Sequence, residues 1–274
     1  MKETMKNTED TDKIKAISKE MISILNLSSS PVGVRFLEDS EQKPEAAEII
    51  EKHRYCQALM KARNGANVIL TGEEISCPAA ASAFGFRPLP EKLESGKGLI
   101  GFGIVSDPAV GKKMFEGMTK LKQGQIQQLH IFPLDEGEYV PDIVIVEDDP
   151  EKLMWIALAY LHATGGERIQ SSTAILQATC VDATIIPFLS QRLNFVYGCY
   201  GCRDATDLGE TEAVMGFPGS ILPEIIEHLK YLDKKAIPRS RSKGALSLLE
   251  GNMESNIKSK RESAPFERDL GIAF

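Results

Sequence analysis

The residues of this sequence with the clearest chemical potential are its five cysteines, Cys56, Cys77, Cys180, Cys199 and Cys202. Cys199 and Cys202 form a C-x-x-C motif, and Gly198 and Gly201 let the backbone fold so that both sulfurs point to one centre. This spacing is typical of zinc sites, iron–sulfur sites and redox dithiols. Because thiolates are soft ligands, the motif excludes calcium and magnesium and leaves zinc and iron open.

The other cysteines can complete a thiolate centre. Cys77 stands before Pro78 and three alanines, at the start of a predicted helix whose dipole favours a thiolate, and Cys56 lies on another predicted helix. We therefore expect Cys199 and Cys202 to be the core ligands of an iron–sulfur cluster or a zinc ion. Cys77 is the expected third ligand, and Cys56 or Cys180 the fourth.

Two other interpretations use the same cysteines. In the first, the protein is a thiol-dependent enzyme with Cys77 as its nucleophile. In the second, the thiols only pack in the core, and the protein is a non-catalytic module that binds a small molecule or cofactor. A thioredoxin-like dithiol needs the C-x-x-C at a helix start after a strand; residues 195–197 supply the strand, whereas Gly201 and Arg203 favour a loop.

Two arginines follow cysteines closely and are candidate cofactor-binding residues. Arg203 comes directly after Cys202, and Arg87 follows Cys77 at some distance. Either guanidinium can neutralise the negative charge of a cluster or hold an anionic ligand. The sequence contains no P-loop, nucleophile elbow or kinase motif, so it indicates neither a substrate nor a reaction.

The elements that must position these residues alternate between strands and helices. Short apolar runs predict strands at residues 32–37, 68–70, 99–105, 128–132, 142–146 and 195–197. Helices are predicted from Pro44 to Arg63, after the Asp149-Pro150 start signal, and at residues 180–189. This order predicts an α/β or α+β fold with a mixed sheet and interleaved helices.

An internal repeat is a further expectation. A strand, an acidic turn, a helix and a cysteine that opens a helix follow one another at residues 32–77 and again at residues 143–180. If the chain consists of two pseudo-repeated halves, a pseudo-twofold axis relates Cys77 to Cys180.

Length and composition define the broad class of the protein. The 274 residues are 42% apolar and 26% charged, which is typical of globular proteins and excludes collagen-like and coiled-coil chains. Polar ends predict a flexible tail at residues 1–11, a single α/β domain with the cysteine site at 12–238 and a weakly ordered tail at 239–274.

The charge and the lack of long apolar runs narrow the set of partners. A net charge of −7 argues against nucleic-acid binding. Without an apolar run long enough for a signal peptide or a membrane helix, a cytoplasmic protein is expected. The expected partners are a small molecule or a redox protein, and a homo-oligomer is compatible with the sequence.

Several landmarks together resemble one protein family. They are the segment 53–59 (HRYCQAL), Gly65, Ser76-Cys77-Pro78, Gly85, the segment 199–203 and Gly216-Phe217-Pro218. Across residues 12–232 the chain resembles domain of unknown function 169 (DUF169), whose members come largely from archaea and anaerobic bacteria. That resemblance favours an oxygen-sensitive iron–sulfur cluster over zinc and implies no catalytic residue.

Overall fold

One mixed sheet of seven strands forms the centre of the described part of the chain, which is residues 8–38, 44 and 46–249 of a computed structural model. The strands are β1 (Val32–Leu37), β2 (Glu48–Ile49), β3 (Val68–Thr71), β4 (Gln128–Pro133), β5 (Ile143–Asp148), β6 (Asn194–Val196) and β7 (Ala213–Pro218). Their order is β2-β3-β4-β1-β5-β7-β6. Only β2 and β3 pair in parallel; the other neighbours are antiparallel.

Helices are interleaved with these strands along the chain, so the predicted mixed α/β fold is confirmed. They are α1 (Thr8–Leu25), α2 (Tyr55–Arg63), α3 (Pro78–Ala83), α4 (Glu91–Glu94), α5 (Lys97–Gly101), α6 (Pro108–Glu116), α7 (Pro150–Ala163), α8 (Ile186–Ser190), α9 (Tyr200–Ala205), α10 (Leu222–Asp233) and α11 (Ala236–Leu249). A π-helix (Ala178–Ile185) leads directly into α8. Within the described residues, every helix is too short or too polar to cross a membrane.

The chain divides into two compact units, residues 1–229 and 230–274. The first contains the sheet and all five cysteines. The described part of the second contains the end of α10 and the whole of α11, and α11 from residue 239 onward lies in the predicted weakly ordered tail. At the other end, α1 begins at Thr8, inside the predicted flexible tail. Residues 1–7 and 250–274 of the predicted tails lie outside the described residues.

The central strands are buried on both faces of the sheet. All six residues of β1 and all six of β5 are buried, and for β5 the apolar run at residues 142–146 predicts this burial. Alternate residues of β5, Ile143 and Ile145, belong to the core that also contains Cys56, Cys199 and Cys202. Because side chains alternate along a strand, Glu147 points to that same face.

A glycine in β7 allows the π-helix to lie directly on the sheet. A Cβ atom at Gly216 would stand 1.7 Å from the carbonyl oxygen of Ala183 in the π-helix. No side chain larger than hydrogen fits there, so Gly216 fixes how closely the π-helix approaches the strand. The π-helix contributes Thr179 and Cys180 to the core that contains the other cysteines.

Several sequence-based expectations differ from the structure. Residues 99–105 were expected to be a strand, but residues 97–101 form α5, with Leu99 buried and Ile100 exposed. The helix predicted from Pro44 begins instead at Tyr55, after the short strand β2. The internal repeat is not confirmed, because Cys77 precedes α3 whereas Cys180 lies inside the π-helix.

Candidate functional site

Cys56 reaches the site through the first turn of α2. Arg54, just before the helix, has an extended backbone, and its N–H donates to Oε1 of Gln57 in the first turn at 2.9 Å. This hydrogen bond satisfies a backbone donor that precedes the helix and fixes where α2 begins. Cys56 is buried, and its side chain faces the shared core.

Cys199 and Cys202 stand at the start of α9, directly after β6, where the sequence favoured a loop. Cys199 is the residue before the first helical position, and its Sγ accepts a hydrogen bond from the Cys202 N–H at 3.1 Å. Gly198 has a φ of +80°, and a Cβ there would lie 2.6 Å from the side chain of Leu208. The tight turn that carries the motif therefore requires glycine at position 198.

The three thiols of Cys56, Cys199 and Cys202, called the thiol cluster below, meet in the core. Cys202 forms side-chain hydrogen bonds with both Cys199 and Cys56. Those bonds and a hydrogen bond from Thr179 lower the pKa of Cys202, although its burial acts in the opposite direction. The bond to Cys202 and burial raise the pKa of Cys56 and of Cys199. The cluster thus stabilises one negative charge on Cys202 while its two neighbours keep their protons.

Two threonines of the π-helix and Tyr55 of α2 form a hydrogen-bonded series that ends at Cys202. Oγ1 of Thr179 lies 3.2 Å from Cys202 Sγ. The hydroxyl of Thr184 donates to the Thr179 carbonyl at 2.7 Å, and the Tyr55 hydroxyl lies 2.9 Å from Thr184 Oγ1. Because Thr184 has one proton to donate, Tyr55 is the donor in that pair. π-Helical turns are rare in proteins, and those that do occur often lie at functional sites.

All five cysteines border one cavity of about 620 Å³ that opens to solvent. Cys180 is buried, and burial together with the neighbouring Cys77 and Cys202 raises its pKa. Cys77 precedes α3 and is the least buried of the five thiols. The structure therefore brings every predicted sulfur ligand to one cavity, with three in the thiol cluster and two on the adjoining wall.

The side chains as placed do not outline a finished metal site. No group of three or more His, Cys, Asp or Glu side chains in the described ranges is arranged so that it could hold an ion. The thiols of the cluster instead make hydrogen bonds with one another.

Arg203 and Arg87 both bind backbone carbonyls. Arg203 donates to the carbonyls of Tyr197, Gly209 and Glu212, and so ties the turn before α9 to the start of β7. Arg87 donates to the carbonyls of Gly72 and Ile75, after β3. Neither side chain is among those that line the cavity with the cysteines.

A buried charge network adjoins the thiol cluster on the sheet. Glu147 of β5 is fully buried, and burial raises its pKa from 4.5 to about 7, with smaller opposing effects from Arg63. Its Oε2 makes no hydrogen bond and lies 3.6 Å from Nη1 of Arg63, which also forms a two-pronged ion pair with Glu212. Negative charge on Cys202 adds to the rise of the Glu147 pKa, so the two groups interact electrostatically.

Sequence reasoning missed Arg54 and Thr179 as parts of this site. Arg54 lines the cavity, and its Nη1 donates to the carbonyl of Gly201, inside the C-x-x-C motif, at 3.0 Å. Its position two residues before Cys56 was the available signal. No comparable signal marks Thr179, since only the irregular π-helix turns its hydroxyl toward Cys202.

Comparison with known proteins places the chain in a family. The sequence profile of DUF169, described as uncharacterised ArCR, matches residues 20–228. The uncharacterized protein MJ0308 of Methanocaldococcus jannaschii is 28% identical over 225 residues, which cover 81% of this chain and 96% of that protein. No solved structure gives a significant match. Because the profile spans most of the chain and every residue of the thiol cluster, the chain belongs to the DUF169 family.

Proposed function

We propose that the protein binds a thiolate-ligated metal centre, an iron–sulfur cluster or alternatively a zinc ion, at Cys56, Cys199 and Cys202. One observation carries this proposal: thiols from two segments far apart in the chain lie together in the core and line one cavity. Packing alone rarely needs three adjacent sulfurs, whereas sulfur-only ligand sets are characteristic of these centres.

The chemistry of the donor set supports the proposal. Burial and the negative charge on Cys202 prevent Cys56 and Cys199 from ionising in the metal-free protein. A bound cation offsets that repulsion, so all three thiols can become thiolates when it binds. In a tetrahedral zinc site with Zn–S bonds of about 2.3 Å, the sulfurs lie about 3.8 Å apart, so metal binding would bring the three thiols to that spacing.

Cys180 and Cys77 are the candidates for the fourth ligand. Both line the cavity beside the thiol cluster, and the cavity provides room for a centre larger than one ion. An iron–sulfur cluster fits this arrangement better than zinc, because its several irons can bind sulfurs that are farther apart. The protein would then act in electron transfer or bind a small molecule at the centre.

The experiment is anaerobic purification followed by iron, zinc and sulfide analysis and a visible spectrum. The wild-type protein is expected to contain stoichiometric metal, and Cys56→Ala, Cys199→Ala and Cys202→Ala to lose it. Cys77→Ala and Cys180→Ala identify the fourth ligand, because each removes one thiol from the same cavity without touching the three-thiol set. One of them is expected to weaken metal binding, and the other, which then serves as the matched control, to leave it unchanged. Metal-free wild-type protein, also after reconstitution with iron and sulfide or with zinc, would contradict the proposal.

A second candidate function, dithiol redox chemistry, is favoured by the start of α9. There the C-x-x-C follows a strand and opens a helix, and hydrogen bonds lower the pKa of Cys202. The Cys202 thiolate would attack a substrate disulfide, form a mixed disulfide with one substrate sulfur and release the other as a thiolate. Cys199 would then lose its proton and attack Sγ of Cys202, which forms the Cys199–Cys202 disulfide and releases the second substrate sulfur. Two electrons pass from the dithiol to the substrate, with one proton from Cys199 and one from solvent.

Alkylation separates this candidate from the metal centre. If the dithiol is the functional group, the metal-free reduced protein reacts with iodoacetamide at Cys202 well below pH 7, and Cys77→Ala leaves that rate unchanged. If the thiol enzyme uses Cys77 as its nucleophile, the fast reaction disappears in Cys77→Ala instead.

All five cysteines are free thiols, which supports a reducing compartment such as the cytoplasm.

A further inference from the structure

The cavity beside the thiol cluster has the size of a small-molecule site. Its volume of about 620 Å³ lies within the range of known ligand sites. The thiol cluster forms one wall, and the segment that carries α4, α5 and α6 forms the opposite wall. The second wall exists because residues 97–101 are helical rather than a strand of the sheet.

Most of the remaining lining is apolar. It is formed by the side chains of Leu93, Leu99, Phe102, Ile104, Phe115 and Leu176. Two aromatic side chains of the lining are exposed to solvent: Phe102 is 66% exposed, and Tyr200 of the C-x-x-C turn is 58% exposed. Aromatic rings at an open rim favour a ligand with a flat apolar body, because such a body covers them from water.

Arg54 is a charged group of this lining that contacts the C-x-x-C motif. It is half-buried, and of its guanidinium nitrogens only Nη1 takes part in a hydrogen bond, with the carbonyl of Gly201 in the first turn of α9. Within the described part of the chain, Nε and Nη2 have no hydrogen-bond or ion-pair partner. A guanidinium with free donors at the end of an apolar cavity is suited to a planar carboxylate.

The other charged side chains of the lining lie at the surface. Apart from the thiol cluster, the charged side chains that line the cavity are Arg54, Lys92 and Asp204. Lys92 and Asp204 are both exposed, and Arg54 is half-buried. Arg54 is therefore the cation available to a ligand inside the cavity, and its planar guanidinium matches one carboxylate.

We infer that the cavity binds an organic monocarboxylate with an apolar, aromatic-sized body, whose carboxylate is held by Arg54 beside the thiol cluster. This assigns a ligand class to the proposed site, and in that sense it extends the proposed function, but the binding itself depends on Arg54 and the apolar wall. Ligand binding and metal binding can therefore fail independently.

The test uses 2-naphthoate and its uncharged analogue 2-naphthamide as probes, with binding measured by calorimetry on the full chain. Wild-type protein is expected to bind naphthoate at least tenfold more tightly than naphthamide, because a charge-assisted hydrogen bond contributes about that much affinity. Arg54→Gln removes this preference. Arg192→Gln is the matched control, because Arg192 is exposed, pairs with Glu167 and does not line the cavity.

A second variant keeps the test decisive if Arg54→Gln disturbs the turn at Gly201. Phe102→Ala removes an exposed ring, so the fold is retained, and it is expected to weaken both probes alike. Equal affinity of wild-type protein for the two probes, no binding of naphthoate, or a preference that survives in folded Arg54→Gln would overturn the inference. Metal content is measured on the same samples: metal without naphthoate binding contradicts only this inference, and naphthoate binding without metal contradicts only the proposed function.

Discussion

Replacing Glu147 with Gln is expected to stabilise the protein at pH 8 relative to pH 5. Burial raises the pKa of Glu147 from 4.5 to about 7, so the folded chain holds a proton that the unfolded chain has already released between these values. The stability that this protonated carboxyl contributes is present below about pH 4.5 and is lost as the pH rises toward 7. A neutral Gln side chain does not ionise and is free of that loss.

The size of the effect follows from the two pKa values. A difference of one pKa unit corresponds to about 1.4 kcal/mol, so ionising Glu147 costs roughly 2–3 kcal/mol of folding free energy between pH 5 and pH 8. Any change caused by the different shape of Gln is the same at both pH values. It cancels when the effect of the substitution at pH 5 is subtracted from its effect at pH 8.

Urea unfolding of both proteins at pH 5 and pH 8, with a chelator and a reductant present, measures this difference. Glu212→Gln is the matched control, because its ion pair with Arg63 lowers the pKa of Glu212 and leaves it ionised at both pH values. The control variant should show a smaller gain between pH 5 and pH 8, because the charge of Glu212 is only a lesser cause of the raised Glu147 pKa. If Glu147→Gln has the same effect on the free energy of unfolding at both pH values, Glu147 is not held protonated by burial and the reasoning is refuted.

Three further outcomes are expected. Gly216→Ala should destabilise the fold by about 3 kcal/mol or more in urea unfolding, because the new Cβ overlaps the π-helix backbone, whereas Gly101→Ala, which meets no atom within 4 Å, should be nearly neutral. Arg63→Met should cost about 3–5 kcal/mol at pH 8, since it leaves two carboxylates without their cation; equal stability to wild type would contradict that role. Thr179→Val should raise the pH midpoint of Cys202 alkylation in the metal-free protein, because the hydroxyl stabilises the thiolate; an unchanged midpoint would show that this hydrogen bond does not matter.

Whether a strand could be predicted from the sequence depended on what packs against it. β5 begins with a continuous apolar run because both of its faces are buried, and such a run can be recognised without a structure. β7 was missed because it contains Gly216 and ends at Pro218, which are signals against a strand. Gly216 is explained only by the π-helix that lies against it, and that contact joins segments distant in the chain.

The sequence indicates which residue types form the candidate site, but it predicts much less of how they are arranged. The C-x-x-C motif and the other cysteines could be selected by type, and the structure brings them to one cavity. The arginine that lines the cavity could not be selected in the same way: Arg203 follows Cys202 in sequence, yet its guanidinium binds carbonyls of neighbouring turns. Arg54 reaches the C-x-x-C turn because α2 and α9 pack together, which local sequence does not reveal.

X-ray absorption at the iron or zinc edge of anaerobically purified protein tests the central claim most directly. In the wild-type protein, the metal is expected to be surrounded by sulfur atoms at about 2.3 Å. In Cys202→Ala, the metal and this sulfur signal are both expected to be lost. A metal bound by nitrogen and oxygen atoms alone, or one retained unchanged in Cys202→Ala, would contradict the account.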